Sequence, residues 1–271
     1  MVGFAVRPAV LAAGLWLLAG PPAAPGGADP DQVRRLSCGP YEAVPSGLDS
    51  SGAPTRLTIQ KDGRLLVAVS DWRVTGVTCR AIDPGHSPVL FVTTFSGGAH
   101  CCETLRAWAL EASPRLLLVF GAGDATGFDL RDLDGSGRLE LLLGDDTFAF
   151  FDNLCATCAP SRLPLVACLA DGRFTDCTRH FPDLLRDAMT PYLARLARPI
   201  SDEQTAEVEG AALGILALSV VLGDEGRGLD AIRAAAPGDA VLAWLDRARP
   251  QVRDWAAARG RKLQDGKECG R

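Results

Sequence analysis

Residues 128–151 place a short acidic loop between two apolar runs, and this stretch constrains the fold more than any other part of the chain. The loop reads DLDGSG from Asp132 to Gly137. Its side chains with oxygen atoms alternate with other residues, and its two glycines permit the positive φ values that a tight reversal needs. The stretch therefore predicts two strands joined by a loop whose oxygen atoms converge on one point.

The spacing of these oxygen atoms suits a hard cation. With Asp132 as the first loop position, side-chain oxygens fall at positions one, three, five and nine, and position seven offers a backbone carbonyl. The predicted ligands are Asp132, Asp134, Ser136, Arg138 through its carbonyl, and Glu140. Calcium takes about six to eight oxygen ligands in a flexible geometry. We therefore predict calcium as a structural cofactor; the alternative is a polar turn of Asp and Gly without a metal.

Negative charge is concentrated around this loop. Residues 124–152 contain eight acids and two arginines, a local charge of −6, whereas the formal net charge of the whole chain is −5. Such a concentration needs a bound cation, dispersed solvation or both. The modest overall charge does not favour nucleic acid or an anionic membrane as a partner.

The first 28 residues have the pattern of an export signal. Arg7 supplies a positive charge, the run Ala9–Gly20 is apolar, and small residues precede Asp29. We predict a signal peptide over residues 1–28, a periplasmic or secreted protein, and no stable membrane span after cleavage. The alternative is an uncleaved anchor, for which this apolar run is short.

All nine cysteines lie in the predicted mature chain. In an exported protein they are expected to form disulfides. Local spacing favours the pairs Cys38–Cys79 and Cys168–Cys177, and the remaining connectivity stays open. The odd number leaves at least one thiol free or paired between chains.

A second group of residues could carry thiol or zinc chemistry. Its members are His100, Cys101, Cys102, Cys155 and Cys158, the first three within the string SGGAHCC. Cys and His are zinc ligands, and this group is the centre of an alternative function as a hydrolase, thiol-dependent enzyme or zinc enzyme. Cys155 and Cys158 have redox-site spacing, but no thioredoxin-like unit surrounds them, so a structural disulfide is favoured. Hydrolase signature motifs are missing from the sequence.

The hydrophobic pattern changes near residue 180. Before it, alternating runs such as 55–60 and 64–69 predict seven or eight strands joined mainly as hairpins, preceded by an irregular lead-in over residues 29–54. After it, a helical period predicts the following helices. They cover 181–196, a buried helix with its core at 211–222 after a capping box at 201–204, 226–236, and a helix from 239 that either continues through Pro250 or restarts there. The predicted fold class is α+β, with an antiparallel β-rich domain over 29–180 and an α-helical domain over 181–271.

With strands on both sides, the sequence DLDGSGRLELLLGD (132–145) resembles the calcium loop of FG-GAP repeats, as in integrin α-subunit propellers and bacterial VCBS-type exported proteins. It departs from the pattern at Ser136, where an acid or Asn is usual, and at Glu140, where Asp is usual, so weaker binding is expected. SGGAHCC and DGRFTDCT (171–178) extend the resemblance over residues 90–182 to bacterial exported proteins with the same string. The resemblance implies a propeller-blade-like β-domain and no established activity. A single loop copy weighs against a full multi-blade array.

These observations together indicate a structural or interaction module of the cell envelope. Its expected partner is an unknown protein or another envelope ligand, and nucleic acid is not expected as a partner.

Overall fold

Three four-stranded sheets contain the twelve strands of the described residues, which are 33–98, 103–123, 127–155, 157–198 and 205–263 of the computed structural model. Sheet A contains β1 (Leu36–Cys38), β2 (Tyr41–Leu48), β3 (Pro54–Lys61) and β4 (Arg64–Ser70). Sheet B contains β5 (Arg73–Arg80), β6 (Val89–Phe95), β7 (Glu103–Leu110) and β8 (Pro114–Gly123). Sheet C contains β9 (Asp129–Arg131), β10 (Glu140–Asp145), β11 (Leu163–Ala170) and β12 (Arg173–Asp176). Consecutive strands pair antiparallel, so each sheet is a meander.

Four α-helices follow the sheets. They are α1 (Pro182–Leu196), α2 (Thr205–Leu222), α3 (Glu225–Ala234) and α4 (Asp239–Lys262). Short 3₁₀ helices lie at Phe151–Asn153 and Thr178–His180. The structure is thus a mixed α+β fold with a β-rich N-terminal part, which confirms this level of the prediction.

Sheet B lies between sheets A and C and is buried on both faces. Because side chains alternate along a strand, Phe91 and Ala107 pack toward sheet C, whereas Leu90 and Trp108 pack toward sheet A. This is why β6 and β7 are buried at almost every position. The sheets are therefore stacked face to face.

The outer face of sheet A ends this stack. Residues such as Glu42, Arg56 and Gln60 lie on the outer face, whereas the alternate residues Leu57 and Ile59 are fully buried against sheet B. A face that carries charged and amide groups is solvated at little cost, so this sheet needs no further layer.

The helices cover the other end of the stack. α2 is buried on nearly all sides among residues of the other helices, and Phe148, Leu154 and Leu163 from the sheet C region belong to the same hydrophobic cluster. Among the described residues, α2 alone has the length and apolar composition that a membrane span requires, and 67% of it is buried inside the structure. Its packing agrees with the predicted buried helix.

A buried carboxylate joins sheet C to α4. Asp145, at the end of β10, is 1% exposed. Its oxygens accept hydrogen bonds from Lys262 Nζ at 2.6 Å, Trp255 Nε1 at 3.0 Å and the backbone N–H of Thr147 at 2.9 Å. Burial alone would raise the pKa of Asp145, but the Lys262 charge and these hydrogen bonds outweigh it and lower the pKa. The ionised group therefore stabilises the fold above the pKa of an unfolded aspartate, about 4, and this stabilisation declines as the pH falls from there through the lowered value.

Two parts of the sequence-based description are wrong. Residues 36–48, predicted as part of an irregular lead-in, form β1 and β2, and the described chain has twelve strands rather than seven or eight. Pro45 and Gly47 interrupt the alternating strand pattern of this segment. Nevertheless, the side chains of Tyr41 and Ala43 are both buried, and β2 pairs with β3 along nearly its full length. Tertiary pairing therefore outweighs the turn-like composition of this segment.

The other local predictions agree better with the structure. The disulfides Cys38–Cys79 and Cys168–Cys177 are formed, which confirms both predicted pairs. α2 begins at Thr205, six residues before its predicted core, and the capping box over 201–204 lies outside the described residues. α4 continues through Pro250, which decides between the two alternatives.

Replacing Lys262 by Gln should destabilise the protein, because Asp145 would keep a buried charge without its cation. Breaking a fully buried pair costs about 3 to 5 kcal/mol. We expect about 2 kcal/mol, because the Lys262 side chain is 38% exposed. Urea unfolding of both proteins measures the change. Arg261→Gln, at the exposed neighbouring position, is the control, and an equal effect of both changes would contradict the assigned role.

Candidate metal centre

The predicted calcium loop is the connection between β9 and β10. These strands pair antiparallel, with Arg131 opposite Glu140. Residues 132–139 therefore form the hairpin loop, and Glu140 is the first residue of β10. Gly135 and Gly137 have φ values of +73° and +82°, a conformation in which other residues are strained. The pairing at the base of the loop positions its acidic side chains.

Three of the five predicted ligands lie together. One carboxylate oxygen each from Asp132, Asp134 and Glu140 can be chosen so that all three lie within 4.8 Å of one another. Asp132 and Asp134 are exposed, whereas Glu140 is only 5% exposed. The cluster thus has one buried carboxylate at its base and two exposed ones at its rim.

Backbone N–H groups of the loop orient these carboxylates. Gly137 N donates to Asp132 Oδ2 at 3.0 Å, and Ser136 N donates to Asp134 Oδ1 at 2.9 Å. Leu133 N donates to Glu140 Oε2 at 2.8 Å. A carboxylate has two oxygens with about four acceptor positions, so a hydrogen-bonded carboxylate can still bind a cation. Hydrogen bonds that orient ligands in this way are a usual part of metal sites.

The other two predicted ligands lie in the same turn. Ser136 Oγ accepts a hydrogen bond from Arg138 N at 3.3 Å. The hydroxyl is therefore close to the backbone at the position whose carbonyl is the remaining predicted ligand. Coordination by Ser136 and by the Arg138 carbonyl stays a prediction.

The electrostatics of the loop favour an ionised Asp134. Hydrogen bonds from the Ser136 side chain and backbone lower the pKa of Asp134, and the charge of Arg138 contributes further. Glu140 forms no ion pair with a described residue. Its cross-strand neighbour Arg131 is paired with Asp129 at 2.6 Å. A buried carboxylate without a protein cation is costly, so the base of the cluster favours a bound cation.

The donor set suits calcium better than a softer metal. Three carboxylates, a hydroxyl and a carbonyl are all oxygen donors, and water can complete the six to eight that calcium takes. Zinc and copper sites use mainly imidazole and thiolate. Bound calcium would neutralise the charge of the three carboxylates and cross-link the hairpin.

Only two residues of the alternative thiol and zinc group, Cys155 and Cys158, are among the described residues. His100, Cys101 and Cys102 lie outside the described residues. Cys155 and Cys158 form a disulfide with each other, which is the favoured interpretation of their spacing. As long as this bond is intact, neither sulfur is a thiolate ligand for zinc.

A cavity beside the acidic loop could not be found by sequence reasoning. It has a volume of about 490 Å³, and Asp134, Arg138, His180 and the disulfide Cys168–Cys177 are among its lining residues. These residues come from the β9–β10 loop and from the end of sheet C. Only the folded hairpins bring them together, and no local pattern signals their proximity.

Comparison with known proteins adds no assignment at this point. No family model matches the chain, and neither the curated proteins nor the solved structures include a match. The geometry of the loop and the surrounding fold are therefore the basis for a function.

Ser136→Ala should raise the pKa of Asp134 in the metal-free protein, because it removes the hydroxyl hydrogen bond that lowers it most. The pKa should move toward the ordinary aspartate value without reaching it, since the backbone N–H of residue 136 remains. A carboxyl-carbon NMR titration in the presence of a chelator measures this shift. An unchanged Asp134 titration would contradict the assigned hydrogen bond, and Ser51→Ala, in a distant turn, is the control.

Proposed function

We propose that this chain is an exported protein of the cell envelope in which the 132–140 loop binds calcium as a structural clamp. In this role the metal holds surfaces that interact with a protein or another envelope ligand. The observation that carries the proposal is the cluster of Asp132, Asp134 and Glu140, whose buried member has no cation partner among the described residues.

The position of the loop in sheet C explains why a clamp is useful. β9 is an edge strand of three residues and pairs only with residues 140–142 of β10. Such a short pairing provides few hydrogen bonds, and an edge strand has no second neighbour. A cation shared by Asp132, Asp134 and Glu140 would connect the loop directly to β10. Calcium binding should therefore hold the edge of the sheet in place.

The arrangement of the sheets supports a blade-like interpretation of the β-rich part. Propeller blades are four-stranded antiparallel sheets, and sheets A, B and C are consecutive four-stranded meanders stacked face to face. The polar outer face of sheet A and the helices over sheet C favour a short open stack rather than a closed ring. We therefore propose propeller-like blades without ring closure.

The disulfides support an oxidising compartment. Three are formed among the described residues, and disulfides persist in exported proteins. The predicted signal peptide over 1–28 lies outside the described residues. Periplasmic or secreted location is thus proposed from the disulfides together with the N-terminal sequence pattern.

Calcium should raise the melting temperature of the protein, because a ligand that binds only the folded state stabilises it. At about 100 times the dissociation constant, the expected gain is about 2.7 kcal/mol. Differential scanning calorimetry with calcium and with a chelator measures it. Asp134→Ala should abolish the difference, whereas Asp187→Ala, an exposed acid on α1, should retain it. Equal melting temperatures of the unmodified protein under both conditions would refute the calcium proposal.

Glu140→Gln should distinguish the cost of burying the Glu140 charge from the contribution of that charge to calcium binding. The amide keeps an oxygen that can accept the Leu133 N–H bond but carries no charge. In chelator, the variant should therefore be at least as stable as the unmodified protein, whereas in calcium it should be less stable. Urea unfolding under both conditions measures this crossover, with Glu42→Gln on sheet A as the control. A variant that is destabilised equally with and without calcium would indicate that Glu140 acts only through packing.

A further inference from the structure

We propose that the Cys155–Cys158 disulfide is a thiol–disulfide exchange site, opened by a thiol that attacks Cys155. The other two disulfides are structural by comparison. This function is independent of the calcium proposal, because the two cysteines lie in the β10–β11 connection and not in the 132–140 loop.

Accessibility distinguishes this disulfide from the other two. Cys155 is exposed and Cys158 is half-buried. In each of the other pairs one cysteine is buried, with Cys38 at 2% and Cys177 at 7% exposure. Exchange requires that a thiolate reach a sulfur atom along the S–S axis. Cys155 is therefore the sulfur that a reductant can reach most easily.

Backbone hydrogen bonds hold the local structure in addition to the covalent bond. Only three positions separate Cys155 and Cys158, against 9 and 41 in the other pairs, and a short loop gains least from cross-linking. The backbone N–H groups of Cys158 and Ala159 donate to the Cys155 carbonyl at 2.9 and 3.0 Å. These bonds can keep the two sulfurs adjacent after reduction, so the disulfide can form again.

The turn that contains Cys158 also packs closely against α2. A Cβ atom added to Gly210 would lie 1.8 Å from the carbonyl oxygen of Cys158. The backbone of Cys158 therefore packs directly against this helix, and only glycine permits the approach. Cys158 is held in place, whereas Cys155 faces solvent. Cys155 therefore suits the attacked sulfur, and Cys158 suits the leaving thiolate.

A cationic cavity adjoins Cys158. Its volume is about 360 Å³, and its lining includes Thr157, Cys158, Tyr192, Arg195 and Arg198 but no Asp or Glu among the described residues. Arg195 pairs with Glu207 at 3.3 Å. The Arg198 side chain has no partner among the described residues. Both arginines lie at the C-terminal end of α1, whose partial negative charge they also offset. Nearby cations favour the thiolate over the thiol.

Thr157 provides a hydrogen bond to the other cysteine of the disulfide, Cys155. Its Oγ1 lies 3.3 Å from Cys155 Sγ. A disulfide sulfur carries no hydrogen, so the Thr157 hydroxyl is the donor. The same hydroxyl can stabilise a thiolate at Cys155 once the bond is open.

The exchange step follows from these positions. A thiolate reductant forms a bond to Cys155 Sγ, the Cys155–Cys158 bond breaks, and its electron pair leaves on Cys158 as a thiolate beside the cationic cavity. The mixed disulfide joins Cys155 Sγ to the first sulfur of the reductant. A second thiol of the reductant then attacks that first sulfur and releases Cys155 as a thiol. The protein gains two electrons and two protons, and the reductant leaves as a disulfide. A leaving thiolate that is better stabilised leaves faster.

The proposal can be tested on the mature chain with its free thiols first blocked by iodoacetamide. Reduced glutathione is then added, the reaction is quenched with acid, and new thiols and mixed disulfides are assigned by peptide mass spectrometry. We expect Cys155–Cys158 to open first and glutathione to be trapped on Cys155 rather than Cys158. Thioredoxin in place of glutathione separates a protein dithiol from a small thiol. Opening by either supports the proposal, and the faster one indicates the source of the thiol.

Arg198→Gln tests the cationic cavity, and Arg186→Gln, an exposed position on the same helix, is its control. We expect Arg198→Gln to slow the opening of Cys155–Cys158 by about threefold and Arg186→Gln to leave it unchanged. Protection of Cys38–Cys79 and Cys168–Cys177 in the same samples reports that each variant is folded. The proposal is refuted if either of these disulfides opens before Cys155–Cys158. It is also refuted if both arginine variants react at the rate of the unmodified protein.

Discussion

The buried carboxylate of Asp145 is the interaction on which the union of sheets and helices depends. It accepts hydrogen bonds from Lys262 and Trp255 on α4 and from Thr147 in the connection that follows β10. A charge removed from water is tolerated only when it is paired and hydrogen-bonded. α4 therefore has to lie along sheet C in one register, and α2, which packs between α4 and the other helices, is enclosed as a consequence.

The same strand begins and ends with a buried acid. β10 runs from Glu140 to Asp145, and these residues are 5% and 1% exposed. At Asp145 the protein supplies the counter-charge through Lys262, whereas at Glu140 two further acids converge instead. The contrast gives the calcium proposal its physical basis, because one end of the strand contains its cation and the other end provides ligands for one.

Local patterns in the sequence predict much of this structure, but they do not predict which residues distant in sequence contact each other. Alternating runs and continuous apolar runs locate the strands from β3 to β8, and the loop spacing alone locates the acidic cluster. β1 and β2 escape the pattern because their pairing with β3 outweighs a composition rich in turn residues. The partner of Asp145 escapes it because Lys262 lies 117 positions away, and ordinary lysines on a helix are solvated. Exposure at Cys155 and the cavity at Arg198 likewise arise only when separate elements pack together.

The meander order of the sheets has a consequence for how the chain folds during synthesis. Each sheet is built from neighbouring segments, so its contacts are local and it can form as soon as its own strands have emerged. The counter-ion of Asp145 resides on the last described helix. Until residues 255–262 arrive, sheet C contains an acid with no cation, and the helical layer cannot close over it. The sheets and the helical layer can therefore be joined only after α4 is available.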